Sequence, residues 1–87
     1  MLTLILNHRV ADYGFWRQCF DADMDRRISF GIKDLAAGEK EGDRGNVYMI
    51  FQVKDLAPFI EMMADPYMNQ FLRDAGVVSE IEMTIVK

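Results

Sequence analysis

The chain has a single histidine, His8, and imidazole is the side chain whose ordinary pKa lies nearest neutrality. An imidazole held near a substrate can act as general base toward an acidic phenol or enol. Its neighbour Asn7 can hold an oxyanion or dioxygen by hydrogen bonding. Tyr48 can donate its hydroxyl to a carbonyl, so His8, Asn7 and Tyr48 form the candidate catalytic set. Trp16, Tyr13, Tyr67 and Met49 are the candidates for the walls of an apolar, ring-accepting pocket. Each has a plainer use as well. His8 can bond a backbone carbonyl at a strand end, and Trp16 can simply fill the core. A buried indole N–H needs a partner, which would point Trp16 at Asn7, a tyrosine or a ligand.

Other chemistries lack their residues. Cys19 is the only cysteine, so no internal disulfide can form, and it has no adjacent basic group to activate it. One histidine and one cysteine cannot build a structural zinc site. Asp21, Asp23 and Asp25 alternate along a helix and cannot converge on one metal. Neither a metal nor a cofactor is therefore expected. Fourteen acidic against ten basic residues give a net charge of −4, which argues against a nucleic-acid partner, since phosphates require a basic patch. No apolar run approaches the length of a membrane span. The opening Met1–Leu6 lacks the basic region and cleavage site of a signal peptide, and a lone free thiol fits a cytoplasmic location.

The elements that must position these residues follow from periodicity. Leu2 to Arg9 alternates as a strand, with Leu2, Leu4 and Leu6 on one side. Asp12 is a good N-cap for a helix from Tyr13, in which Trp16, Cys19, Phe20, Met24 and Ile28 recur at helical spacing and Gly31 gives the stop. Lys33 to Gly38 is a short strand, and Glu39 to Asn46, with its charges and glycines, is an exposed connection. Asn46 to Val53 is the clearest strand. Asp55 caps a second helix carrying Leu56, Phe59, Ile60 and Met63, which Asp65-Pro66 should end or kink. Tyr67 to Ala75 adds further turns, Gly76 closes them, and Glu80 to Val86 is the last strand. The 87 residues therefore make one α+β domain of the ferredoxin-like βαββαβ plan. Two helices would cover one face of a four-stranded antiparallel sheet.

The strands carry apolar residues on both sides, so roughly five or six large side chains would face outward in a lone copy. Burying them, at about 1.5–3 kcal/mol each, amounts to on the order of 10 kcal/mol. That rivals the whole stability of a domain, about 5–15 kcal/mol. A homodimer joined face to face through the sheet resolves this. The six methionines Met24, Met49, Met62, Met63, Met68 and Met83 fall on or near apolar faces and suit an adaptable core or pocket.

These residues also resemble a known group. The stretch His8-Arg9-Val10-Ala11-Asp12-Tyr13, followed by Trp16 and Phe20, is similar to the start of short proteins in the dimeric α/β-barrel superfamily, which contains the antibiotic-biosynthesis-monooxygenase domains. The ending Phe71-Leu72-Arg73-Asp74-Ala75-Gly76-Val77 before a final strand is similar too. The resemblance spans nearly the whole chain, but its motifs mark fold rather than chemistry. Members include cofactor-free monooxygenases acting on phenolic polyketides, haem-degrading enzymes and isomerases, and fold analogy cannot choose among them. The haem-degrading branch uses a first-strand Asn, a Trp and a second-helix His. Asn7 could match the first, but the second helix here has no histidine. The cofactor-free oxygenases place Asn, Trp, Tyr or Arg around an apolar pocket between helices and sheet, and Asn7, Trp16, Tyr13, Tyr48 and Arg9 are available for this.

The expectation is a small homodimer that binds an apolar, aromatic small molecule, either as a cofactor-independent monooxygenase or isomerase or as a non-catalytic ligand-binding or stress-response protein. An interaction module without any cavity is the third possibility.

Overall fold

The computed structural model describes all residues from Met1 to Lys87. The elements are β1 (Leu2–Arg9), α1 (Tyr13–Ala22), α2 (Met24–Ser29), β2 (Lys33–Glu39), β3 (Asn46–Val53), α3 (Leu56–Ala64), α4 (Pro66–Asp74) and β4 (Glu82–Val86). The strands form one antiparallel sheet in the order β2-β3-β1-β4. This is the expected βαββαβ plan, with each of the two expected helices divided into a pair.

Aspartates make the divisions. Asp12 caps α1 by accepting from the Phe15 N–H at 3.1 Å. Asp55 caps α3 by accepting from Ala57. Asp65 stands in extended backbone between α3 and α4, accepts from the Tyr67 N–H at 2.9 Å and leaves Pro66 in the first turn, where a missing N–H does no harm. Asp23 interrupts the first helix at φ −92° and ψ 7°. That break corrects one expectation: beyond it the inward position is Arg27, while Met24 and Ile28 lie exposed.

Arg27 is 4% exposed. Its Nε and Nη2 donate to the two carboxylate oxygens of Asp34 at 3.0 and 2.9 Å, and Nη1 donates to the Phe20 carbonyl at 2.8 Å. The guanidinium also lies 3.7 Å from the Phe20 ring centroid. One side chain thus ties α2 to both α1 and β2, with the bidentate geometry that suits a guanidinium.

The core lies between the sheet and the helices. Leu4, Leu6 and His8 point into it from β1, and Val47, Met49, Phe51 and Val53 from β3. Trp16, Phe20, Phe59 and Met62 meet them from the helices. Gly45 closes the β2–β3 connection at φ +83°, and a Cβ there would come within 2.7 Å of the Val10 carbonyl oxygen, so no other residue fits without strain. The last strand is shorter than expected. Val77 bridges to Val10 before a break, and the ladder with β1 begins only at Glu82.

The other sheet face is open. It carries Thr3, Ile5, Asn7 and Arg9 from β1, with Tyr48, Ile50 and Gln52 from β3. Glu82, Thr84 and Val86 add to it from β4. The large apolar side chains there are Ile5, Tyr48, Ile50 and Val86, with Leu35 beside them at the irregularity in β2, and polar residues interleave with them.

The two halves of the Arg27–Asp34 pair are unequal, since Asp34 is a quarter exposed and Arg27 is enclosed. Removing the carboxylate strands a buried positive charge, whereas removing the guanidinium leaves an anion that water can reach. Asp34→Ala is expected to cost about 3 kcal/mol, and Arg27→Met clearly less, as read by urea denaturation. Equal losses would show that burial does not set the energetics of this pair.

Candidate functional site

Between helices and sheet lies a small, partly open cavity of about 30 Å³. The sheet supplies Leu6, His8, Met49 and Phe51. Trp16, Phe20, Asp23 and Arg27 line it from the first helical pair, at spacings of four, three and four along the chain. Those intervals keep one helical face turned inward. Phe59, Met62 and Met63 from α3 and Met68, Phe71 and Leu72 from α4 close the other side. The space admits roughly one or two waters and is well short of the ~150 Å³ that takes a benzene ring. Four of its wall residues are methionines, whose unbranched side chains can move aside.

His8 is 3% exposed, and its Nδ1 is enclosed without a hydrogen-bond partner. Its ring meets Trp16 edge-on, with centroids 5.7 Å apart at 72°. Burial holds the His8 pKa below the ordinary histidine value, because desolvation penalises the imidazolium, and a backbone contact at Arg9 opposes this only in part. His8 is therefore a neutral imidazole at neutral pH. Trp16 is 1% exposed and stacks on Phe20 with centroids 4.9 Å apart, so an aromatic wall runs from His8 through Trp16 and Phe20 to the Arg27 guanidinium.

Of the candidates from sequence, this cavity brings together His8, Trp16 and Met49. Asn7 and Tyr48 do not join them. They are cross-strand partners on the open face, because adjacent residues of a strand point to opposite sides. The Asn7 amide is already committed, donating to the Asn46 side chain and to the Val47 carbonyl. Asn46 in turn donates to Asp43, which accepts both terminal nitrogens of Arg9 at 3.1 and 3.2 Å. Arg9, too, is thus a part of the open-face loop anchor. Tyr13 stacks behind Trp16 with centroids 6.0 Å apart but does not line the cavity. Tyr67 is half-exposed, outside the cavity, beneath the Arg26 guanidinium at 4.5 Å.

Arg27 and Asp23 were missed as lining residues. The signal was present, since both fall on the helical file of Trp16 and Phe20, but charges on such a file ordinarily read as a solvated face. Nowhere do three His, Cys, Asp or Glu side chains converge as metal ligands, and no helix is long and apolar enough to cross a membrane.

No protein-family model matches the sequence, and no curated protein matches it. Solved structures do match. Protein Atu4242 from Agrobacterium tumefaciens is 16% identical with a TM-score of 0.75, over 100% of this chain and 92% of that one. A protein described as an antibiotic biosynthesis monooxygenase is 13% identical with a TM-score of 0.71, over 100% and 97%. An uncharacterized NIPSNAP domain protein from Burkholderia xenovorans is 14% identical with a TM-score of 0.64, over 100% and 93%. The chain has the fold of the antibiotic-biosynthesis-monooxygenase-like proteins, and at these identities the likeness is one of fold.

The depressed pKa of His8 has a consequence for stability. The unfolded chain takes up the proton more readily than the folded one, so stability is lost as pH falls through the unfolded histidine value near ~6.5 and down to the folded one. Urea midpoints should therefore drop between pH 7.5 and 5.5 in the wild type. In His8→Leu most of that drop should vanish, and an equal drop in both proteins would place its origin elsewhere.

Proposed function

We propose that the chain acts as a homodimer whose helix–sheet cavity binds an apolar, ring-bearing small molecule, with His8 accepting a proton from it in a cofactor-independent monooxygenase reaction. The observation that carries this is an imidazole at the wall of a mainly apolar cavity, its Nδ1 without a partner, where the two charged side chains, Asp23 and Arg27, are already paired. A buried polar atom without a partner costs stability, and a ligand hydroxyl or an acidified C–H is the kind of group that can answer it.

The chemistry asks little else of the protein. A substrate methylene that His8 deprotonates becomes an electron-rich carbanion or enolate, which can itself reduce dioxygen. One oxygen atom ends as the carbonyl oxygen on that carbon and the other leaves as water. Both hydrogens of the methylene are accounted for in that water. The apolar walls exclude bulk solvent and strengthen the electrostatic interaction between His8 and the substrate. The fold shared with an antibiotic biosynthesis monooxygenase supports the assignment without fixing the substrate. The open sheet face supports the dimer: Ile5, Tyr48, Ile50 and Val86 would be covered by the same face of a second copy.

One observation favours a second reading, a non-catalytic carrier. The other charged residues at the cavity are already engaged, Arg27 with Asp34 and Asp23 beside Arg26 at 3.7 Å. His8 would then hold the ligand without a second acid or base to complete a reaction.

Dioxygen uptake with a panel of hydroxynaphthalenes and their keto tautomers separates the two. Turnover by the wild type that falls about 100-fold or more in His8→Phe is the expected result, in line with the loss of a general base. Unchanged turnover in the variant ends the role of His8, and binding without uptake favours the carrier. Light scattering should report twice the chain mass, and a single-chain particle would overturn the dimer.

A further inference from the structure

The cavity does not end at its walls. Four of its lining residues, Leu6, Phe59, Met63 and Ile81, also line a surface groove of about 380 Å³ between α3 and β4. The groove is completed by Ile60, Ala64 and Met83, and all seven of its residues are apolar. It exists because β4 is an edge strand that the helices do not reach. Met83 and Ile85 on the helix-facing side of β4 are 42% and 43% exposed, and Ile60 on α3 is 54% exposed.

The two spaces differ in character. The cavity is rich in rings, with Trp16, Phe20, Phe51, Phe59 and Phe71 in its walls, and it holds His8, Asp23 and Arg27. The groove is aliphatic, with Phe59 its single ring, and it carries no charged or hydrogen-bonding side chain. The cavity alone is too small for an organic ring, so a molecule that reaches His8 must displace part of its lining, and the wall shared with the groove already borders an apolar surface. Met63 is the flexible member of that wall.

We infer that cavity and groove are one site, and that its ligand is an uncharged ring bearing a hydroxyl head and a hydrocarbon tail, as in an alkylphenol. This rests on the reading of the His8 cavity as a ligand site. The ring stacks in the aromatic chamber with its hydroxyl toward His8. The tail passes between Leu6 and Met63 and lies along Ile60, Ile81 and Met83. The uncharged groove disfavours an ionised tail, since nothing there offsets desolvation of a charge.

A 4-alkylphenol series from ethyl to hexyl tests this, with Kd read from Trp16 fluorescence and by calorimetry. Each added methylene should tighten binding up to about fourfold, which is ~0.8 kcal/mol for full burial. In Ile60→Glu and Met83→Glu, both at exposed positions, that increment should collapse while 4-ethylphenol binds within about twofold of wild type. An increment that survives both substitutions overturns the groove. So does a change of oligomeric state in these variants with the increment unaltered, since a second copy would then be the occupant. His8→Phe separates this failure from failure of the cavity reading. Binding that weakens in His8→Phe while the increment ignores the groove variants removes the groove alone. Affinities indifferent to His8→Phe, or no binding by any member, remove the cavity and the groove together.

Discussion

The two-residue period of β1 governs the site. Leu4 and Leu6 must point to the helices because the core needs them, and the pleat then forces position 8 to the same side. A histidine there is desolvated by construction. It meets Trp16 instead of water, and its pKa falls because burial disfavours the charged form. The same period sends Asn7 to the open face, where it serves the β2–β3 connection through Asn46 and Val47. Two polar neighbours in sequence thus take unrelated duties, one inside an apolar chamber and one in a hydrogen-bonded loop anchor.

A second constraint is that helices on a small sheet must bend to cover it. Aspartates at positions 23 and 65 break each helical stretch into two short pieces. The first break swings Arg27 inward, where Asp34, the Phe20 carbonyl and the Phe20 ring satisfy it. The second sets α4 at an angle from which Met68, Phe71 and Leu72 reach the cavity. Arg26 fastens this arrangement from α2. It lies 4.5 Å from the Tyr67 ring centroid and 3.8 Å from Asp65. The chamber is bounded by the consequences of these two breaks as much as by the sheet.

Strong alternation made β1 and β3 legible in the sequence, and capping aspartates made the helix starts legible, because both signals are local. The walls His8, Trp16 and Met49 followed from the same local patterns. What escaped depended on tertiary geometry. Arg27 reads as a surface charge until Asp34 is placed beside it from another element. Asn7 and Tyr48 looked like companions of His8 because sequence proximity and shared chemistry say nothing about which side of a pleat each residue occupies. On the open face, the polar residues that interleave with the apolar ones become visible only with the β4 pairing. There Thr84 pairs with Ile5 and Glu82 with Asn7.

The near closure of the chamber is what a domain of this size should be expected to show. A permanently empty space able to hold a ring, ~150 Å³, would cost about 3–4 kcal/mol at the measured ~24 cal/mol per Å³. A chain of 87 residues, at roughly 0.05–0.15 kcal/mol per residue, has only about 4–13 kcal/mol in total. Holding such a space open would therefore consume a large part of its stability. Methionines at positions 49, 62, 63 and 68 offer another route. They fill the space with many weak contacts in the resting state, and they can rearrange at low strain when an apolar ring replaces those contacts with its own. The proposed ligand would then restore packing instead of merely filling a void. Its selectivity would rest on shape, on the lack of charge and on the one polar atom, His8 Nδ1, that the chamber leaves unanswered.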